Sequence, residues 1–222
     1  MIRRGNVIYI LVISFMVMIL NACGSTDYII KINNEAVTKQ EFDLYLMKGK
    51  EYFEKQGGED IWETKIDGED AAILLKNSIV DTVTRTKIQA NIAKQKNIKL
   101  DEKEEKQLNE AVKQYIGQTE KEGKYPKEVV EKFVYDNIIA VKLYNSEIEN
   151  IQITDQMFSE YLKATGITDT SNISEDELKQ MKEEYSVSKK SELFNKKYDE
   201  WKKDYKIEIN NVELNKIDII GK

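Results

Sequence analysis

The sequence predicts a mainly α fold closed by a small β pair. Three observations carry this. A single proline in 222 residues, in a body rich in Lys, Glu, Ile, Leu and Asn, favours long helices. Apolar residues recur at helical spacing through most of the chain. Two short β-prone runs, residues 28–32 and 206–210, stand at opposite ends of the body; isolated strands need partners, so these two are expected to pair.

The chain begins with a basic pair, Arg3 and Arg4, followed by an almost wholly apolar run over residues 7–20. That run has the length of a secretory signal core and is short for a permanent span, which needs about 20 apolar residues. It ends in Leu20-Asn21-Ala22-Cys23, which looks like the lipobox of bacterial lipoproteins, with Asn21 a less usual occupant of its place. Cys23 is the only cysteine. Its sulfur is the expected acceptor of a diacylglyceryl group, with residues 1–22 as signal peptide and 23–27 as a flexible tether. A lone cysteine excludes an intramolecular disulfide framework.

Tyr28-Ile29-Ile30-Lys31-Ile32 reads as a strand, and Asn33-Asn34 as a tight turn. Thr38 and Glu41 fit a capping box for a helix to about residue 55, with Phe42, Tyr45, Leu46, Tyr52 and Phe53 on one face. Gly57-Gly58 ends it, and 61–70 reads as a loop with a turn at Asp67-Gly68. A second helix spans about 69–96 with Leu75, Ile79 and Val83 inward, and Asn97 stops it. Asp101 and Glu104 cap a third, whose stripe includes Leu108, Val112 and Tyr115. Pro126 sits at the start of a fourth, about 127–148, carrying Val130, Phe133, Val134 and Tyr144. Thr154 opens a short fifth helix that Gly166 ends. Ser174 and Glu177 fit a capping box for a long closing helix over about 175–205, whose stripe includes Phe194, Tyr198 and Trp201. The domain is read as 28–210, with 211–222 as a C-terminal tail.

Composition narrows the function. There is no histidine, which removes Ser-His-Asp and Cys-His arrangements and most zinc sites. The net charge is −6, and the basic residues are interspersed with acidic ones, which argues against nucleic acid as a partner. Asp67-Gly68-Glu69-Asp70, with Glu59 and Asp60, lacks the alternating oxygen ligands of a calcium loop; acidic caps before a helix explain it better. No metal, cofactor or catalytic residue is expected.

Residues 28–42, a strand, an Asn-Asn turn, Val37-Thr38 and an acidic cap, resemble the opening of the SurA/PrsA-type chaperone domain. The resemblance continues over 79–104, where one helix ends in 93–101 and the next starts at once, and over 198–210, similar to the family's closing helix and strand. It implies a helical domain of the SurA N-terminal kind and a chaperone that binds unfolded exported polypeptides without ATP. In many relatives a parvulin prolyl-isomerase domain lies before the final helix. Here only 164–174 separates those elements, and parvulin sites use histidines that this chain lacks, so isomerase activity is not expected.

The expected activity is therefore that of a lipid-anchored, extracytoplasmic holder of client chains, with a Lys/Ile/Asn bias pointing to a Gram-positive-like surface. A structural lipoprotein using the fold for one dedicated partner is the alternative. Candidate client-binding residues are Phe42, Tyr45, Tyr115, Phe133, Tyr144 and Trp201; the competing reading is that these aromatics simply fill the core.

Overall fold

A computed structural model describes residues 28–119 and 125–219. Cys23 and the apolar run before it lie outside the described residues. The described chain is mainly helical, as expected. Its order is β1 (Tyr28–Ile32), β2 (Glu35–Thr38), α1 (Lys39–Gly57), a 3-10 turn (Glu59–Glu63), β3 (Lys65–Ile66), β4 (Glu69–Asp70), α2 (Ala71–Gln95), α3 (Glu102–Thr119), α4 (Lys127–Glu149), α5 (Asp155–Ala164), α6 (Glu175–Lys202), β5 (Ile207–Ile209) and α7 (Asn211–Asn215).

The two terminal runs do pair: β1 and β5 run antiparallel, with Ile30 opposite Ile209 and Ile32 opposite Ile207. The sheet has three strands, however, in the order β2-β1-β5. The four residues after the Asn33-Asn34 turn fold back as β2, a segment too short to show a period of its own. Asn33 takes a positive φ of 53°, a conformation that asparagine tolerates. Its side-chain oxygen accepts from the Lys206 N–H at 2.8 Å, fastening the start of β5. A bulge between Tyr28 and Ile30 breaks the alternation of β1, so Ile29 and Ile30 are both buried.

The expected loop over 61–70 is a 3-10 turn followed by a two-residue hairpin, β3–β4. Asp67 and Gly68 both have positive φ, which a tight primed hairpin turn demands. That turn and the ion pair of Lys65 with Asp70 account for the acidic run. Among the described residues no group of three or more Asp, Glu, His or Cys side chains is arranged to hold a metal.

The capping residues differ in what they do. Ser174 and Glu177 form a full reciprocal box at α6, and Asp101 and Glu104 do the same at α3. At α1 only half of the expected box is made. Thr38 accepts from the Glu41 N–H at 3.2 Å, but the Glu41 carboxylate turns inward to Lys87. Asn97, in the left-handed region at φ 56°, closes α2 while the Ile98 N–H reaches back to the Ala93 carbonyl. Pro126 caps α4 from just outside it.

The core gathers β1, α1, α2 and α4, with Phe42, Leu44, Leu75, Ile88, Ile139 and Leu143 fully buried. Burial of each such side chain contributes about 1.5–3 kcal/mol. Only the last part of α6 joins this core, through Phe194 and Tyr198. The segment after residue 210, expected as a tail, is part of the domain. It forms α7 and buries Leu214, Ile217 and Ile219, and Lys50 donates to the Ile219 carbonyl at 3.0 Å. Its apolar residues follow no helical or strand period, so their burial is set by docking rather than by a local pattern. Among the described residues no helix is long and apolar enough to cross a membrane.

Candidate functional site

The helices leave a groove between α1, α2, α3 and α4. It encloses about 590 Å³ and is lined mainly by apolar side chains, among them Tyr45, Phe53, Leu75, Ile79, Ala111, Tyr115, Phe133 and Ile138. Its depth has a local cause. Gly49 puts no side chain on the inner face of α1, and a Cβ there would lie 2.6 Å from Ile79 Cδ1 and 2.8 Å from Leu75 Cδ1. The two helices therefore meet closely at Gly49 and leave room on the side facing α3 and α4.

Three rings form the wall. Phe133 receives Tyr45 and Tyr115 edge-on, with centroids 4.7 and 5.4 Å away, a geometry in which a ring edge meets a π face. Tyr45 is almost fully buried, and Asn137 donates to its hydroxyl at 3.4 Å. Burial first, then the charges of Glu41 and Asp136, push its phenol well above the ordinary tyrosine value, so it remains a neutral lining group. The rim is more polar. Lys48 lies 5.2 Å over the Tyr115 ring and pairs with Glu51 at 2.9 Å. Tyr52 stands at the lip, 62 % exposed. Behind it Phe53 stacks on Trp62 at 6.0 Å, and the Trp62 indole donates to Glu54.

The six aromatic candidates fall into three places. Tyr45, Tyr115 and Phe133 line the groove. Phe42 does not: it is completely buried, so it cannot touch a client. Tyr144 and Trp201 flank Phe194, at 4.7 and 5.9 Å, in the seam between α4 and α6 and not in the groove. There Lys96 and Lys197 approach the Trp201 ring and both pair with Glu147. Helical spacing identifies an inward face without saying which neighbour it meets, which is why the six could not be sorted in advance. Gly49, Ser78, Gln107 and Asn137, which also line the groove, were missed. Gly49 carried a signal, a glycine inside an otherwise regular helix.

Near the groove lies a buried ionic cluster. The Lys87 ammonium, 1 % exposed, pairs with Glu41 and Asp136 and lies 3.4 Å from Glu35. Lys132 extends it to Glu35 at 2.5 Å and to Asp136 at 2.9 Å. Burial, opposed by Lys87, holds the Glu41 carboxyl above its ordinary value. At Glu35 burial acts the same way, but the hydrogen bond and charge of Lys132 outweigh it and bring the carboxyl below. The cluster ties β2, α1, α2 and α4 together. Every charge in it faces a partner inside the fold, which marks it as structural.

No family model matches the chain, and no solved structure matches it. Among curated proteins it is similar to "Foldase protein PrsA" of Caldanaerobacter subterraneus subsp. tengcongensis, at 23% identity over 167 residues. The match covers 71% of this chain and 51% of that protein, so the chain spans about half the length of the curated relative it matches.

Proposed function

We propose that this protein holds unfolded polypeptide segments in the groove between α1 and α4 and so assists their folding, without ATP or a cofactor. The groove itself carries this proposal: about 590 Å³ of mainly apolar space that the described side chains leave open. Sites of this size and lining take apolar ligand groups, with a few polar groups at the rim setting orientation. The similarity to a protein named as a foldase supports the same reading. Lys48, Ser78, Thr82 and Gln107 give the groove a polar rim, as binding surfaces commonly have. The reading assigns no isomerase step, since the sequence holds no histidine.

The lipobox-like Leu20-Asn21-Ala22-Cys23 supports work outside the cytoplasm, with Cys23 as the proposed lipid acceptor. Cys23→Ala should shift the protein from the membrane fraction to the soluble one; unchanged partition would refute the anchor. Ser78→Trp tests the groove. Ser78 is an exposed groove-lining residue of α2, so an indole there occludes the cavity at little cost to the fold. The wild-type chain should suppress aggregation of a reduced, unfolded client, and Ser78→Trp should need about ten times the concentration at an unchanged Tm. Equal suppression by both would remove the groove from the mechanism.

A further inference from the structure

The apolar groove does not end at Ile138. Gln107, Asn137 and Ile138 also line a second depression that runs on along the α3–α4 seam and is bounded by Asp101, Glu104, Val141, Lys142, Asn145 and Glu149. The two depressions thus adjoin at Gln107, Asn137 and Ile138, and together they give a channel with an apolar end and an acidic end. In the acidic end three carboxylates face one ammonium, and that ammonium is engaged: Lys142 pairs with Glu104 at 2.5 Å and Asp101 at 3.7 Å.

Glu149 is left over. It is exposed, and among the described residues no ion pair involves it. It also stands in the last turn of α4, where the helix dipole disfavours a negative charge. Its carboxylate is thus open to a cation from outside the fold. Val141, 60 % exposed, adds an apolar side chain to the same depression. Gln107, Asn137 and Asn145 offer amide donors and acceptors along the path, the groups that an extended backbone uses.

We propose that the channel selects extended client segments carrying a large apolar side chain and, about five residues away, a Lys or Arg. The apolar group enters beside Ile138 and the cation reaches Glu149. The spacing follows from the helix. Ile138 to Glu149 is eleven residues of α4, about 16 Å at 1.5 Å per residue, and an extended chain covers that in about five residues. The selection rests on the groove being the client site, and the experiment separates the two claims.

Fluorescein-labelled ten-residue peptides with one leucine are titrated against the full chain in detergent and read by anisotropy. The peptides carry Arg, Ser or Glu five residues from the leucine, and a fourth carries Arg two residues from it. The five-spaced Arg peptide should bind about fivefold more tightly than the Ser peptide, and the Glu peptide more weakly still. The Arg preference should shrink with added salt and in Glu149→Gln. Ser78→Trp should weaken all four peptides. If Arg, Ser and Glu peptides bind alike, or the two Arg spacings bind alike, the selection is wrong while the client site stands. If no peptide binds, or binding ignores Ser78→Trp, the client site falls and the selection with it.

Discussion

Single residues here carry two kinds of charge burial with opposite pH behaviour. Burial pushes the Glu147 carboxyl up, but hydrogen bonds and charge from Lys197 and Lys96 outweigh that and hold it below the ordinary 4.5. A depressed carboxylate stabilises the fold above 4.5 and loses that contribution as pH falls through its folded value. Glu41 is raised, so its contribution is complete below 4.5 and is lost as pH rises through its folded value. Glu147→Gln should therefore lower stability at neutral pH by about 1–3 kcal/mol and flatten the acid limb of a denaturation curve measured from pH 7 to 3. An acid limb as steep as that of the wild type would show that the Lys96–Glu147–Lys197 pairing is not what stabilises the α2–α4–α6 seam. These buried charges were not legible beforehand. Lys87 and Asp136 look like any other charges on Lys- and Glu-rich helices, and Glu41 fits an N-cap position so well that its inward turn leaves no mark in the sequence.

At the scale of elements, the long helices were legible because their apolar stripes and caps agree. Thr38, Asp101, Thr154 and Ser174 each start the helix expected of them, and Asn97 stops the one before it. Apart from the terminal strands β1 and β5, the elements shorter than a helical turn or two were not legible. Strand β2, the β3–β4 hairpin and helix α7 have four, two, two and five residues, and each exists because a neighbour completes it. The α1–α2 contact at Gly49 lies at this scale too. Gly49→Ala gains about 1 kcal/mol of helix propensity but drives a methyl against Ile79 and Leu75, and overpacking costs about 1–3 kcal/mol. The variant should be no more stable than the wild type and should lose groove volume. Ile79→Val removes the nearer methyl and should restore part of the loss in a double-mutant cycle. Additive effects would show that the two helices do not meet there.

For the whole molecule, the sequence pointed to a helical body with paired ends, and the structure adds a third strand and a packed C-terminal segment. The aromatic stripes were read in two ways, as a cradle or as core: Phe42 is core, Tyr45 and Phe133 are core rings that also wall the groove, and Tyr115 lines it. Only the packing of four helices decides between them, since each helix alone presents the same spacing. The proposed client site is this open space. It is tested most directly by a photo-crosslinking residue placed at Tyr52, on the groove lip and 62 % exposed, and in a second protein at Val187, on α6 and 71 % exposed. With an unfolded client present, Tyr52 should crosslink to it and Val187 should not, although the two positions are similarly accessible. Equal crosslinking at both, or crosslinking at Val187 alone, would contradict the account.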